Sequence, residues 1–99
     1  MLIDSNIIIY AAQPEHDALR ALIAEQAPAI SAVSYVEVLG YHGLSAAEED
    51  LFRRFFARAR MLPIDREVLD AAVSLRRRRR VYSGDALIAA TALVHRLTL

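Results

Sequence analysis

Two periods of apolar and polar residues alternate along the chain. Short apolar runs at Leu2-Ile3, Ala29-Ile30 and Met61-Leu62-Pro63-Ile64 predict buried strands. Between them, apolar positions recur three and four apart, the spacing of a helix with one face inward. Ser5 and Asn6 suit a turn out of the first strand. Ile7 to Ala12 then opens a helix that Pro14 interrupts. Pro14-Glu15-His16-Asp17 starts another, with Leu19, Leu22 and Ile23 on one side and Pro28 at its end. Ser31 or Ser34 begins the next, whose apolar positions are Val33, Val36, Val38 and Leu39, and Gly40 and Gly43 close it. Ser45-Ala46-Ala47-Glu48 is a capping box. The helix behind it carries Leu51, Phe52, Phe55 and Phe56 on one face and Arg53, Arg54 and Arg58 on the other.

Pro63 places the third strand at a sheet edge. Asp65 caps a helix with Val68, Leu69, Ala72, Val73 and Leu75 inward, and that helix runs into Arg76 to Arg80. Ser83 caps the last helix, which Gly84 lets the backbone enter. Leu97-Thr98-Leu99 reads as the first residues of a fourth strand. Strands alternating with helices predict an α/β fold with a parallel sheet, in one domain over residues 1–99.

Composition limits the possible functions. A hydrophobic content of 56% allows a substantial core for a chain of this length, and the apolar surplus points to surface covered by a partner. No apolar run approaches the roughly 18 residues of a membrane span, and Met1-Leu2-Ile3-Asp4 carries no basic leader. Cysteine is absent, which excludes disulfides and thiolate metal sites and suits a cytoplasmic protein. Twelve arginines balance twelve acids. A net charge of zero argues against a general nucleic-acid coat protein but leaves room for a local basic patch.

Three acids stand alone among apolar neighbours. Asp4 has no charged neighbour before Glu15, Glu37 is the only charge between Ala29 and Leu44, and Asp85 is the only one between Arg80 and Arg96. Asp85 shares a helical face with Ile88, Ala89 and Ala92, so its spacing predicts a buried carboxylate that needs a partner. Asp4 ends the first strand, Glu37 lies in the helix after the second, and Asp85 opens the helix before the fourth. In a parallel sheet those positions share one edge, the edge where ligands bind. Three carboxylates there repel one another, and a divalent cation resolves the conflict. Oxygen donors without cysteine favour Mg²⁺ or Mn²⁺, ions suited to phosphoryl chemistry.

Each acid also has a plainer role. Asp4 could cap the following helix, Ser34 and Glu37 have capping-box spacing, and Asp85 could simply sit on a helix dipole. His16, His42 and His95 share no ligand spacing. The Arg76–Arg80 run is either a solvated helix end or a contact for RNA phosphates. The phenylalanine face is either core or a groove for a partner helix.

Met1-Leu2-Ile3-Asp4-Ser5-Asn6, Ser31 to Leu39 and Gly84 to Ala92 resemble, in that order, the motifs of PIN domains, in particular VapC-type toxins of bacterial toxin–antitoxin pairs. The resemblance implies a three-layer α/β/α fold with a short parallel sheet and a Mg²⁺- or Mn²⁺-dependent endoribonuclease. It assigns Asp4, Glu37 and Asp85 as catalytic, metal-binding carboxylates. Ser5 matches the hydroxyl supporting the first acid, and Asn6 the polar residue after it. It also implies a cytoplasmic homodimer, with a cognate antitoxin covering the site. Family members continue past a Leu-Thr-Leu-like strand to a fourth acid, whereas this sequence stops at Leu99. The expectation is therefore a sheet with its last strand cut short. The alternative function is a catalytically impaired module acting through dimer and antitoxin binding. A DNA nuclease on the same fold is a third possibility.

Overall fold

A computed structural model describes residues 1–99. The elements run β1 (Leu2–Ile3), α1 (Ser5–Ala11), α2 (Asp17–Gln26), β2 (Ala29–Ser31), α3 (Ala32–Leu39), α4 (Ala46–Arg58), β3 (Arg60–Leu62), α5 (Arg66–Arg78) and α6 (Ser83–Val94). The sheet has the order β1-β2-β3 and both pairs are parallel, with Ile3 opposite Ile30 and Ile30 opposite Met61.

Successive strand side chains point to opposite faces, and this alternation divides the core in two. Ile3 and Ile30 face one way and pack with Ile8 of α1, Val38 of α3, and Phe52 and Phe56 of α4. Leu2, Ala29 and Leu62 face the other way, against Ile88 and Ala92 of α6. A third cluster, Val68, Ala72, Ala86 and Ala90, fastens α5 onto α6. The result is the expected α/β/α sandwich. No helix is long and apolar enough to cross a membrane.

Most helix boundaries follow their caps. Ser45 and Glu48 form the predicted capping box, and the Ser45 backbone amide holds the Glu48 carboxyl below its ordinary value of 4.5. The Asp65 side chain accepts from the Val68 amide at 3.0 Å. Four boundaries differ from the sequence expectation. Ser5 and Asn6 are not a turn: Asp4 caps α1 directly, so both lie inside the helix. α2 starts at Asp17 rather than Pro14, with Arg20 holding the preceding turn through the Ala11 and Gln13 carbonyls at 2.8 and 2.6 Å. β3 lies at an edge but ends at Leu62, before Pro63. α6 has Tyr82, not Ser83, at its N-cap, and no side chain caps it.

Several residues expected inward are exposed. Leu22, Val36, Leu69 and Val73 all face solvent, because the sheet is only three short strands wide and covers less of each helix than the apolar spacing suggests. After α6 the chain turns at Arg96, whose φ of 55° is left-handed, and the Leu97 amide closes back on Ala92 O at 2.9 Å. This turn carries Thr98 alongside β1, where its carbonyl accepts from the Leu2 amide at 2.7 Å. The segment expected to begin a fourth strand thus contacts β1 through one backbone bond.

Phe52, only 3% exposed, contrasts with Leu69, which is 44% exposed. Phe52→Ala is expected to cost about 3–5 kcal/mol. Leu69→Ala should stay within about 0.5 kcal/mol of wild type. Thermal denaturation measures both, and equal losses would contradict this division of the core.

Candidate active site

The buried polar side chains are Ser5, Ser31, Ser34 and Thr91, all hydroxyls. A buried hydroxyl requires a hydrogen-bond partner, and here the partners tie three helices together. Ser31 ends β2 and caps α3, accepting from the Val33 amide at 3.2 Å. Thr91 of α6 gives its only proton to the Leu87 carbonyl, 2.7 Å away. Ser31 is then the donor across the 3.4 Å to Thr91 Oγ1.

Ser5 Oγ lies 2.9 Å from Ser34 Oγ and 2.5 Å from Glu37 Oε1. Ser5 has one proton, and the carboxylate is the stronger acceptor. Ser5 therefore donates to Glu37, and Ser34 donates to Ser5. This geometry removes the capping-box reading of Ser34 and Glu37. Ser31 is the cap of α3, while Ser34 is buried within the helix beneath Glu37.

The other two acids reach the same place through their chain neighbours. Asp4 immediately precedes Ser5 and caps α1, with Oδ1 accepting from the Ile7 amide at 2.9 Å. A carboxylate offers about four lone-pair positions, so one amide bond leaves room for another partner. Asp85 follows Gly84, which lies against Glu37. A methyl built on Gly84 would collide with Glu37 Oε2 and stand 3.3 Å from its Cδ. Glu37 thus spans the gap between the residue after Asp4 and the residue before Asp85.

Asp85 is exposed, contrary to the sequence expectation of a buried charge. Its first-turn position explains this: the buried stretch of α6 begins one residue later, at Ala86. The charge rests on water and on the positive end of a helix that has no side-chain cap. Glu37 is also exposed, and Asp4 is half-buried. Asn6 faces solvent in the first turn of α1.

With the side chains so placed, no group of three or more His, Cys, Asp or Glu residues is close enough to hold a metal ion. The donor chemistry nonetheless fits a hard cation. The available groups are carboxylates backed by hydroxyls, with no sulfur or imidazole among them. Asp4 and Glu37 each retain an oxygen not used in the bonds described.

The family model for the PIN domain matches residues 1–99. The chain belongs to the PIN domain family. Solved structures agree with this assignment. A chain in a toxin–antitoxin complex from Klebsiella pneumoniae is 26% identical with a TM-score of 0.78, the match covering 99% of this chain and 82% of that one. VapBC2 from Rickettsia felis, bound to a DNA fragment from its promoter, matches at 19% identity and a TM-score of 0.82, over 99% and 83% of the two chains. FitAcB from Neisseria gonorrhoeae matches at 22% and 0.72, over 97% and 82%. The last two similarities are of fold alone. No relative among curated proteins matches the chain.

Three parts of the candidate site carry no functional mark in the sequence. Ser34 has the spacing of an alternative helix cap, although it is three residues from Glu37 and so on the same face. Ser31 and Thr91 are 60 residues apart, and only the folded chain joins them. Gly84 reads as a flexible helix start, whereas its missing side chain is the space that Glu37 occupies.

Gly84→Ala separates site from fold. The backbone there is not left-handed, and alanine is the better helix former, so stability should hold or rise by up to about 1 kcal/mol. The added methyl must displace the end of the Glu37 side chain. A crystal structure of the variant is expected to show the Ser5–Glu37 bond broken or lengthened. An unchanged bond, or a collapse in Tm, would contradict this reading.

Proposed function

We propose that this PIN domain is a Mg²⁺- or Mn²⁺-dependent endoribonuclease, the toxin of a toxin–antitoxin pair. The observation that carries the reading is the position of Glu37 between Ser5 and Gly84, the immediate neighbours of Asp4 and Asp85. Asp4, Glu37 and Asp85 hold the cation. When bound, it supplies charge neutralisation at the phosphodiester and acidifies water. Ser5 fixes the Glu37 carboxylate by donating to one oxygen, leaving the other directed at the gap. Ser34 keeps Ser5 in the rotamer that makes this donation possible. The uncapped N-terminus of α6 contributes partial positive charge beside Asp85, which lowers the cost of three acids at one edge.

The antitoxin reading is supported by the likeness to a chain in a toxin–antitoxin complex at 26% identity. A second support is a groove of about 600 Å³ between α1, α2 and α4. Ile8, Ile23, Phe52 and Phe55 line it, and Arg58 and Arg60, neither in an ion pair, stand on it. That combination suits an amphipathic segment with acidic flanks.

The second reading is a module that binds partners without turning over RNA. It is favoured by the lack of a ready three-ligand grouping. Asp4→Asn, Glu37→Gln and Asp85→Asn are each expected to abolish Mn²⁺-dependent cleavage of a mixed RNA panel. Ser5→Ala should lower it by roughly 10–100-fold. Cleavage by the Asp85→Asn protein at the wild-type rate would sink the nuclease proposal. Mn²⁺ binding with no cleavage of any RNA would establish the second reading.

A further inference from the structure

Five consecutive arginines lie where α5 ends. Arg76, Arg77 and Arg78 complete its last turn, Arg79 is its C-cap, and Arg80 opens the connection to α6. A helix C-terminus favours cations, which accounts for one or two such charges. It does not account for five without a counter-ion. The arginines of α4 are matched, Arg53 to Glu49 and Arg54 to Asp50 one turn back. The residues one turn before Arg76 to Arg79 are Ala72, Val73, Ser74 and Leu75, with no acid among them. None of the five makes an ion pair. Arg76 alone makes a side-chain hydrogen bond, from Nε to the Val81 carbonyl at 3.2 Å, which fixes the course of the connection. Together with Val81 the five line an open cup of about 410 Å³ that contains no carboxylate.

The next residue is an aromatic that the fold does not use. Tyr82 is 83% exposed, more than any other large apolar side chain in the molecule. It occupies the N-cap of α6 but gives no capping bond. Its ring meets no other aromatic, whereas Tyr10 stacks on His16, Tyr35 meets Phe56 edge-on and Tyr41 lies tilted against His42. Gly84 and Asp85 follow at once, with Glu37 against Gly84. Three residues separate Arg80 from Gly84, so four Cα–Cα steps hold the two Cα atoms to at most roughly 14 Å apart. A row of unpaired guanidinium groups, a free aromatic face and the carboxylate edge therefore follow one another along a single connection.

We propose that Arg77 to Arg80 and Tyr82 anchor single-stranded RNA beside the carboxylates. The guanidinium groups take backbone phosphates, and Tyr82 stacks on a base. This strip of side chains supplies what the acidic edge lacks, an attraction for a polyanion. An acidic peptide would satisfy the arginines but would offer Tyr82 no flat partner. The proposal deepens the ribonuclease reading and rests on it for the choice of RNA, but its test needs no cleavage.

The test is fluorescence anisotropy with a short labelled oligoadenylate, in EDTA, over a series of salt concentrations. Replacing Arg77, Arg78, Arg79 and Arg80 together by Gln is expected to weaken binding at least tenfold at low salt. It should also reduce the slope of log affinity against log salt by roughly 2–3. Tyr82→Ala should weaken binding about tenfold with the slope unchanged, and Tyr82→Phe should bind as wild type. Thermal melting verifies that each variant remains folded, as exposed positions allow. Unchanged affinity and slope in the arginine variant overturn the proposal. So does oligoglutamate that binds more tightly than the RNA, or blunt duplex DNA that binds equally well, since its bases are not free to stack. Wild-type binding by a variant that still cleaves RNA removes the anchor and leaves the ribonuclease reading. Charge-dependent binding by a protein that never cleaves RNA supports the anchor and removes the ribonuclease reading.

Discussion

The hydrogen bond from Ser5 Oγ to Glu37 Oε1, 2.5 Å long, joins the beginning of α1 to the end of α3. A hydrogen bond to a charged group is worth about 1.5–3 kcal/mol, and this one is backed by the buried Ser34 hydroxyl. Its importance is positional. It holds one carboxylate over the C-terminal edge of the sheet, with the free oxygen against Gly84. Without it, Glu37 would be a surface side chain near the end of a helix, where the dipole is unfavourable to an acid. With it, the starts of α1 and α6 meet the C-terminal half of α3 at one place.

The fold makes this arrangement possible through small residues at close approaches. Serine ends β2, serine opens α1, and glycine lies at the second position of α6. The two core faces, Ile3 and Ile30 with the phenylalanines on one side and Leu2, Ala29 and Leu62 with α6 on the other, fix the sheet between its helices. The Ser31–Thr91 pair then sets where α6 crosses the end of β2. Core and site depend on the same junctions, because parallel strands direct every strand end toward one edge.

Much of this was legible in the sequence, because it is written in local patterns. Strand–helix alternation, the Ser45–Glu48 box and the Asp65 cap depend on residues within one turn of each other, and all three stand in the structure. Periodicity shows which side chains share a helix face but not how wide a sheet will cover it, so Val36, Leu69 and Val73 read as core and are exposed. Asp85 is exposed for a related reason, since a first-turn residue can share a buried face and still project beyond it. The helix end at Pro28 is marked by its proline, but the left-handed turns at Ala27 and Arg96 carry no glycine to signal them. For the site, isolated acids could be listed from the sequence, but only packing relates them. That relation passes through Ser5, Ser34 and Gly84, residues whose types carry no charge signal.

If Glu37, held by Ser5, completes an oxygen site for a divalent cation with Asp4 and Asp85, its replacement should remove binding of the ion. Electron paramagnetic resonance of Mn²⁺, titrated into the wild-type protein and the Glu37→Gln variant, tests it most directly. Saturable binding is expected of the wild type, with free Mn²⁺ signal lost as protein is added, and no such loss with the variant at the same concentrations. Equal binding by the two proteins would contradict it.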